Sequence, residues 1–450
     1  MKQKNENLLL TEEVTKVLLS LGIPVVASLL LQTSFNIVDA IWIGRLGDAA
    51  LAAISTASFV LWSVFALAEM VAIGVTAMIA RFVGAGDQRQ AAQVAGQGIW
   101  LGLLVSIGIS AGGMTSVAYV FSFMRTASDV TQHGISYLAV LFWGMPSLIL
   151  FFVLNAIYRG NGDTKTPMKL LTMAVLINGV LDPFLIFGWG PFPQLGVAGA
   201  AFATVIARFI GVAVGVRILL RRENWLVWRT SKKWIDLSMM RRILRIGIPA
   251  SLAGLVVCVV YIFLTRVTTK FGTAAVAALG AGHKVQSITY MIGVGMSVAV
   301  TTMVGQNLGA KQVERAARTA WVGCGIIALV NGCMAAVYLT LSPYIIRIFI
   351  SNPQVIRIGS NYLKINAIAE IFMGIESVFD GAFAGAGDTL PPALISVPLT
   401  VARYPLAYFF AVMLWNNVNG VWTAIALTGF VRGVLIMYWF SRGKWKEREV

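Results

Sequence analysis

Polar and charged residues fall in short intervals along this chain, and the stretches between them are apolar and helix-sized. A helix needs about twenty apolar residues to cross the hydrocarbon core of a bilayer. On that ruler the sequence predicts twelve membrane-spanning helices, at 14–44, 50–80, 92–120, 132–158, 168–190, 198–220, 244–268, 275–305, 316–342, 357–383, 391–416 and 420–441. Strands of a membrane barrel would show about ten residues of alternating polarity instead, so the expected fold class is an all-α polytopic membrane protein. The leading residues MKQKNENLLLTEE are polar and include two glutamates, and the apolar run from Val14 outlasts a secretory leader. No cleavable signal is expected.

The pattern repeats. Leu21-Gly22-Ile23-Pro24 returns as Ile246-Gly247-Ile248-Pro249, and Gly47-Asp48-Ala49-Ala50 returns as Gly272-Thr273-Ala274-Ala275. Gly84-Ala85 returns as Gly309-Ala310, and Gly160-Asn161-Gly162-Asp163-Thr164 as Gly385-Ala386-Gly387-Asp388-Thr389. Each pair is 225 residues apart, half the chain length, which indicates a duplication with almost no net insertion. Residues 1–225 and 226–450 are thus expected to be two pseudo-symmetric six-helix bundles. Six is even, so both repeats share one orientation, as in parallel-repeat transporters, where rocking of one bundle against the other exposes a cleft to alternate sides.

Composition and charge narrow the class. Only 12% of the 450 residues are charged and 58% are hydrophobic, whereas soluble chains are about a quarter charged; the expected surroundings are lipid. The formal charge of +16 would suggest nucleic acid on a soluble surface, but here the positive-inside rule accounts for it. The joining segment near 221–243 holds Arg221, Arg222, Arg229, Lys232, Lys233, Arg241 and Arg242, with Arg245 just beyond, and is assigned to the cytoplasm. Both termini follow it there. Under this topology 24 of the 35 Lys and Arg are cytoplasmic, 7 lie at outer ends and 4 inside spans. A plasma or bacterial inner membrane and a functional monomer are expected. Cys258, Cys324 and Cys333 lack metal-ligand spacing, and His133 and His283 are the only histidines; disulfide scaffolds, zinc and haem are excluded, and no cofactor is expected.

Three stretches carry a family likeness: Gln32-Thr33-Ser34-Phe35-Asn36-Ile37-Val38-Asp39 in span 1, the duplicated Gly-x-Gly-Asp-Thr loops, and Asn178-Gly179-Val180-Leu181-Asp182-Pro183 in span 5. With the two-by-six layout, they make the whole chain resemble the multidrug and toxic compound extrusion (MATE) transporters. The resemblance implies an antiporter that exports lipophilic or cationic drugs in exchange for H⁺ or Na⁺.

Ionisable groups at bilayer depth cost roughly 2.5–3.5 kcal/mol each on insertion scales, so each requires a partner or a function. Asp39, Asn178, Asp182 and Thr204 fall at similar depth in the outer half of the first repeat, Asn178 one turn from Asp182. Two carboxylates, an amide and a hydroxyl suit an oxygen-lined cation site, with Na⁺ at Asp39, Asn178 and Asp182. They equally suit a pair that shares one proton, since adjacent like charges resist joint ionisation, or a structural hydrogen-bond network. The resemblance implies the cation-coupling role. Its tyrosine one turn before the span 1 aspartate is Phe35 here. Gln32, Phe35, Asn36 and Pro183 are candidates for substrate contact or helix bending, because Pro183 leaves the Gly179 carbonyl without its helical donor. Shifting Asp39 and Asp182 by 225 gives Leu264 and Ala407, so the lobes are expected to differ in role. In the second repeat Glu370, Glu376, Asp380 and Arg403 are candidates; the acids are expected either to form a second proton or drug-cation site or to pair with Arg403 or Lys284. Glu69 and Arg208 read as a structural ion pair.

Other classes fit less well. The Gly-Asp-Thr loops lack the Lys-Ser/Thr of a phosphate-binding P-loop and follow helices, so they read as turns whose Asp and Thr cap the next helix. With no ATP-hydrolysing motif, uphill transport needs an ion gradient. A flippase for lipid-linked substrates, the main alternative, would need a cationic cleft. Paired Asp-rich motifs for a prenyl transferase and an intramembrane Ser/His dyad are missing from the sequence, while a passive channel is separable by uphill transport.

Overall fold

The computed structural model describes residues 9–123, 126–221 and 235–448 and has no strand among them. Lys2, Lys4 and the basic residues of 222–234 lie outside the described residues. The long helices are α1 (Val14–Gly44), α2 (Asp48–Gly84), α3 (Gln88–Phe123), α4 (Ser128–Trp143), α5 (Met145–Gly160), α6 (Lys165–Phe187) and α7 (Val197–Arg221). They are followed by α8 (Leu237–Thr268), α9 (Thr273–Gly309), α10 (Val313–Arg347), α11 (Pro353–Ala386), α12 (Leu390–Tyr408) and α13 (Asn419–Ser441). A π-helical turn, Phe409–Leu414, extends α12.

Each expected span falls on one of these helices except the fourth, which is broken. α4 and α5 are bent by 55° at Gly144, where a Cβ would meet Val205 at 2.2 Å, and Pro146 two residues on supplies no N–H to the ladder. Among the described residues ten helices are long and apolar enough to cross a membrane, and the bent pair makes an eleventh. α11 is also long, at 34 residues, but carries Arg357, Lys364, Glu370, Glu376 and Asp380, which lower its hydropathy.

The helices form two compact units, Ala27–Gly247 and Met1–Val26 with Ile248–Val450. These compact units differ in their bounds from the sequence repeats 1–225 and 226–450. Val14, Val17, Leu18 and Leu21 at the start of α1 belong to the core of the second unit with Val300, Met303 and Phe379. At the start of α8, the Ile243 carbonyl lies 2.2 Å from where a Gly74 Cβ would stand, inside the first unit. A span long enough to cross a bilayer can serve one core with one end and another core with the other.

The duplication is visible as packing. Thr76 donates to the Ala156 carbonyl at 3.3 Å, and its counterpart Thr301 donates to Gly381, the counterpart of Ala156, at 2.9 Å. One turn along, a Cβ on Gly160 would stand 2.8 Å from the Thr76 carbonyl and one on Gly385 2.4 Å from that of Thr301. Glycine is required at both because the helix backbones touch. The Gly-Asp-Thr loops close alike, with Asp163 N donating to Tyr158 and Asp388 N to Phe383, both at 2.9 Å. Their aspartates then diverge. Asp163 caps α6 by accepting from the Thr166 amide at 2.9 Å, whereas Asp388 pairs with Arg448 at 3.2 Å. Thr164 and Thr389 make no side-chain cap bond, so the capping expected of the threonines falls to Asp163.

Candidate functional site

In the first unit, α1, α4, α6 and α7 bring one cluster together. Asn178 donates to Asp182 Oδ1 at 3.2 Å and reaches Thr204 Oγ1 at 3.4 Å. Thr204 itself donates to the Ala200 carbonyl at 3.0 Å. The α6–α7 approach that permits this is set by Gly199, where a Cβ would stand 2.3 Å from the Leu185 carbonyl. Asp39 and Asp182 are buried and their carboxyls stand side by side, close enough to share a proton. All four residues singled out as a cation site thus lie in one cluster. Asp39 Oδ1, Asn178 Oδ1 and Asp182 Oδ2 are buried without a hydrogen-bond partner. Buried oxygens are seldom left unpaired, and a proton or a cation would give the two carboxyl oxygens a partner.

Two further side chains join the cluster. Tyr137 of α4 is buried within electrostatic reach of both carboxyls. Its repeat counterpart is Tyr362, also buried, and the 225-residue offset applied to tyrosines is the signal that connects them. Arg208 donates to Gln32 Oε1, one turn of α7 beyond Thr204. Its guanidinium packs over Phe151 at 4.5 Å and Phe35 at 5.7 Å, and Asp39 is its acidic neighbour. Gln32 passes the chain on to Asn36 at 3.4 Å. Arg208 is therefore not the partner of Glu69, which faces Arg159 instead. Pro183 is buried within a helix that continues past it to Phe187.

In the second unit the charges are arranged differently. Glu376 forms a buried ion pair with Arg432 of α13 at 3.2 Å and accepts from Ser396 at 2.9 Å. Arg432 also donates to Thr400 at 2.8 Å, and Asp380 lies next to both members of the pair. The partners expected for these acids were Arg403 and Lys284. Arg403 instead donates to Thr428 at 2.9 Å and lies over Tyr261, while Lys284 is exposed. Glu370 is set apart, accepting from Gln286 at 2.8 Å and Thr289 at 2.5 Å, with Tyr362 donating to Gln286. Both oxygens of Glu370 are thus engaged, whereas Asp380 Oδ1, like oxygens of Asp39 and Asp182 in the first unit, is buried without a hydrogen-bond partner. Among the described residues no group of three or more His, Cys, Asp and Glu is arranged to hold a metal ion.

Long apolar helices in two like repeats, with unpaired carboxyl oxygens buried inside each of them, define a multi-pass membrane protein of transporter architecture. The chain belongs to the MatE family: the family model matches residues 24–184 and again 249–409, the second match displaced by the same 225 residues as the motifs. The "probable multidrug resistance protein NorM" of Thermotoga maritima is 29% identical over 97% of this chain and 94% of its own. An FAD transporter of Shewanella oneidensis is 27% identical over 98% and 97%. Among solved structures, the outward-facing form of a multidrug resistance MATE family transporter superposes with a TM-score of 0.90 at 24% identity, covering 98% of each chain, and so shares the fold.

Proposed function

We propose that this protein is a secondary active antiporter that exports lipophilic or cationic drugs and toxic compounds in exchange for H⁺ or Na⁺, with Asp39, Asn178, Asp182 and Thr204 as the coupling site. The observation that carries this reading is the set of unpaired buried oxygens on Asp39, Asn178 and Asp182. Burying such groups without partners is costly, so the cluster gains strongly from a cation or proton and loses that gain on release. A transporter needs this difference between loaded and empty states, because a ligand shifts a conformational equilibrium only by its differential affinity. Pro183 beside Asp182 interrupts the α6 hydrogen-bond ladder and offers a point where the helix can respond. The surrounding membrane is the plasma or bacterial inner membrane, the termini are cytoplasmic by the Lys and Arg count, and the working unit is a monomer.

The reading is tested by loading everted vesicles with a cationic dye and imposing a pH gradient, then a Na⁺ gradient. Uphill dye movement under one of the two supports the antiporter and names its ion. Movement under neither, with dye merely equilibrating, assigns the protein to the passive channels. One relative carries FAD, an anion, so FAD belongs in the substrate panel; gradient-driven movement of FAD but of no cation would replace the cationic cargo. A lipid-linked pyrophosphate as sole cargo would mark the flippase alternative.

A further inference from the structure

Within the second unit, α10 ends at Arg347 and α11 begins at Pro353, capped by Asn352. The two helices touch at Gly359, where a Cβ would stand 3.2 Å from Ile346. Beside this contact opens a cavity of about 630 Å³ lined by Pro343, Arg347, Arg357, Ser360, Asn361 and Lys364, among others. Pro343 and Arg347 are one turn apart on α10, and Arg357, Asn361 and Lys364 recur at i, i+4 and i+7 on α11, so both helices turn a stripe toward the same groove.

The charge in this groove is unbalanced. The side chains of Arg347, Arg357 and Lys364 make no hydrogen bond or ion pair among the described residues, and the sequence has no Asp or Glu between Glu314 and Glu370. In the proposed topology this corner faces outward. Three of the seven Lys and Arg at outer ends therefore line one cavity, on the side where the positive-inside rule makes such residues scarce. Next to them Tyr344 and Ile348 are 66% and 79% exposed. An exposed tyrosine and a large aliphatic side chain at a helix end suit the level where acyl chains meet headgroups.

We propose that this cavity binds the phosphate of an anionic lipid headgroup. Arginine presents a planar fork that matches two phosphate oxygens, and lysine adds a point charge. Asn361 supplies a neutral donor, and the α11 N-terminus directs its positive end at the same corner. Basic pockets between membrane helices hold acidic headgroups in this way. The volume is in the range of ligand pockets, about 300–1,000 Å³, larger than a bare phosphate requires. Tyr344 and Ile348 give the attached glycerol and acyl chains a surface that free phosphate would not use.

The test uses the full-length protein in neutral detergent, titrated with phosphatidylglycerol or phosphatidylcholine and read by native mass spectrometry. Wild type should retain one phosphatidylglycerol in preference to phosphatidylcholine. The combined variant R347Q/R357Q/K364Q should bind it about a hundredfold more weakly, at about fivefold for each cation removed near a lipid surface. Removing Arg266 and Lys270, outer-end cations that do not line the cavity, with R266Q/K270Q should change nothing. Equal phosphatidylglycerol binding by wild type and the triple variant, or equal loss in the R266Q/K270Q control, overturns the proposal. If inorganic phosphate binds wild type and not the triple variant while phosphatidylglycerol binds no better than phosphatidylcholine, the anion is soluble and the lipid assignment is overturned. Should the triple variant fail to accumulate, Arg357→Gln alone, on an exposed side chain, should show the fivefold loss.

Discussion

Asn178 donates to the carboxyl of Asp182 one turn further along α6, at 3.2 Å. The bond engages Oδ1 and leaves Oδ2 buried and unpaired, so the amide orients the carboxyl without satisfying it. Asp182→Asn should therefore abolish gradient-driven export while the protein still inserts. Ala407, its counterpart in the second repeat, has no ionisable group to lose, and Ala407→Ser should leave most activity. Initial rates of dye export at matched expression decide the point; equal, severe loss from both would place coupling in both repeats.

Arg208 sits beside Asp39 and is held by Gln32 and two aromatic rings. In the proposed coupling site a fixed guanidinium would compete with an incoming cation for the carboxyls and speed its release. Arg208→Met should make the cluster hold its cation more tightly, lowering turnover about tenfold, if the lost interaction is on the order of 1.4 kcal/mol, with equilibrium drug binding retained. Arg208→Lys should recover part of the turnover. Loss of drug binding together with turnover in both variants would show that Arg208 holds the bundle together and takes no part in release.

Gly199 lets α7 touch α6 at the Leu185 carbonyl. An alanine there must push the helices apart, at a cost of about 1–3 kcal/mol for overpacking, and should lengthen the 3.4 Å reach from Asn178 to Thr204. A lower thermal midpoint in detergent with reduced export is the expected outcome for Gly199→Ala. Wild-type values for both would mean that the helices can separate without disturbing the site.

Much of this was legible in the sequence, for reasons of cost. Charges are so unfavourable in lipid that spans are punctuated by them, and carboxylates left inside, such as Asp39 and Asp182, announce themselves. The constant offset between motifs exposed the two repeats, which reappear in the Thr76 and Thr301 contacts. What was not legible depends on rotation and contact. The break at Gly144 carries no charge, and its mark in the sequence, Gly144 followed by Pro146, gives neither the size nor the direction of the bend. Arg432 was as eligible a partner for Glu376 as Arg403, and only the packing of α11 against α13 decides between them. The compact units divide near Val26 and Gly247 because the ends of α1 and α8 serve different cores, which a count of spans does not reveal.

Glu376 and Arg432 form a buried pair at 3.2 Å. Removing one partner strands the other charge, at a cost of about 3–5 kcal/mol in buried pairs. Glu376→Gln and Arg432→Met should each lower the thermal midpoint sharply, and the double variant should recover part of the loss. Additive destabilisation in the double variant would show that the pair is not a coupled unit.

Exchange through the Asp39–Asp182 cluster is the central claim, and thermodynamic linkage makes it reversible. In proteoliposomes with no ion gradient, an imposed gradient of a transported cationic drug should drive the coupling ion uphill in the opposite direction. A lumenal pH or Na⁺ indicator would report it. Wild type should move H⁺ or Na⁺ against its gradient, and Asp39→Asn, reconstituted to the same density and still binding drug, should move neither. Drug flux with no counter-movement of either ion in wild type, or unchanged counter-movement in Asp39→Asn, would contradict the account.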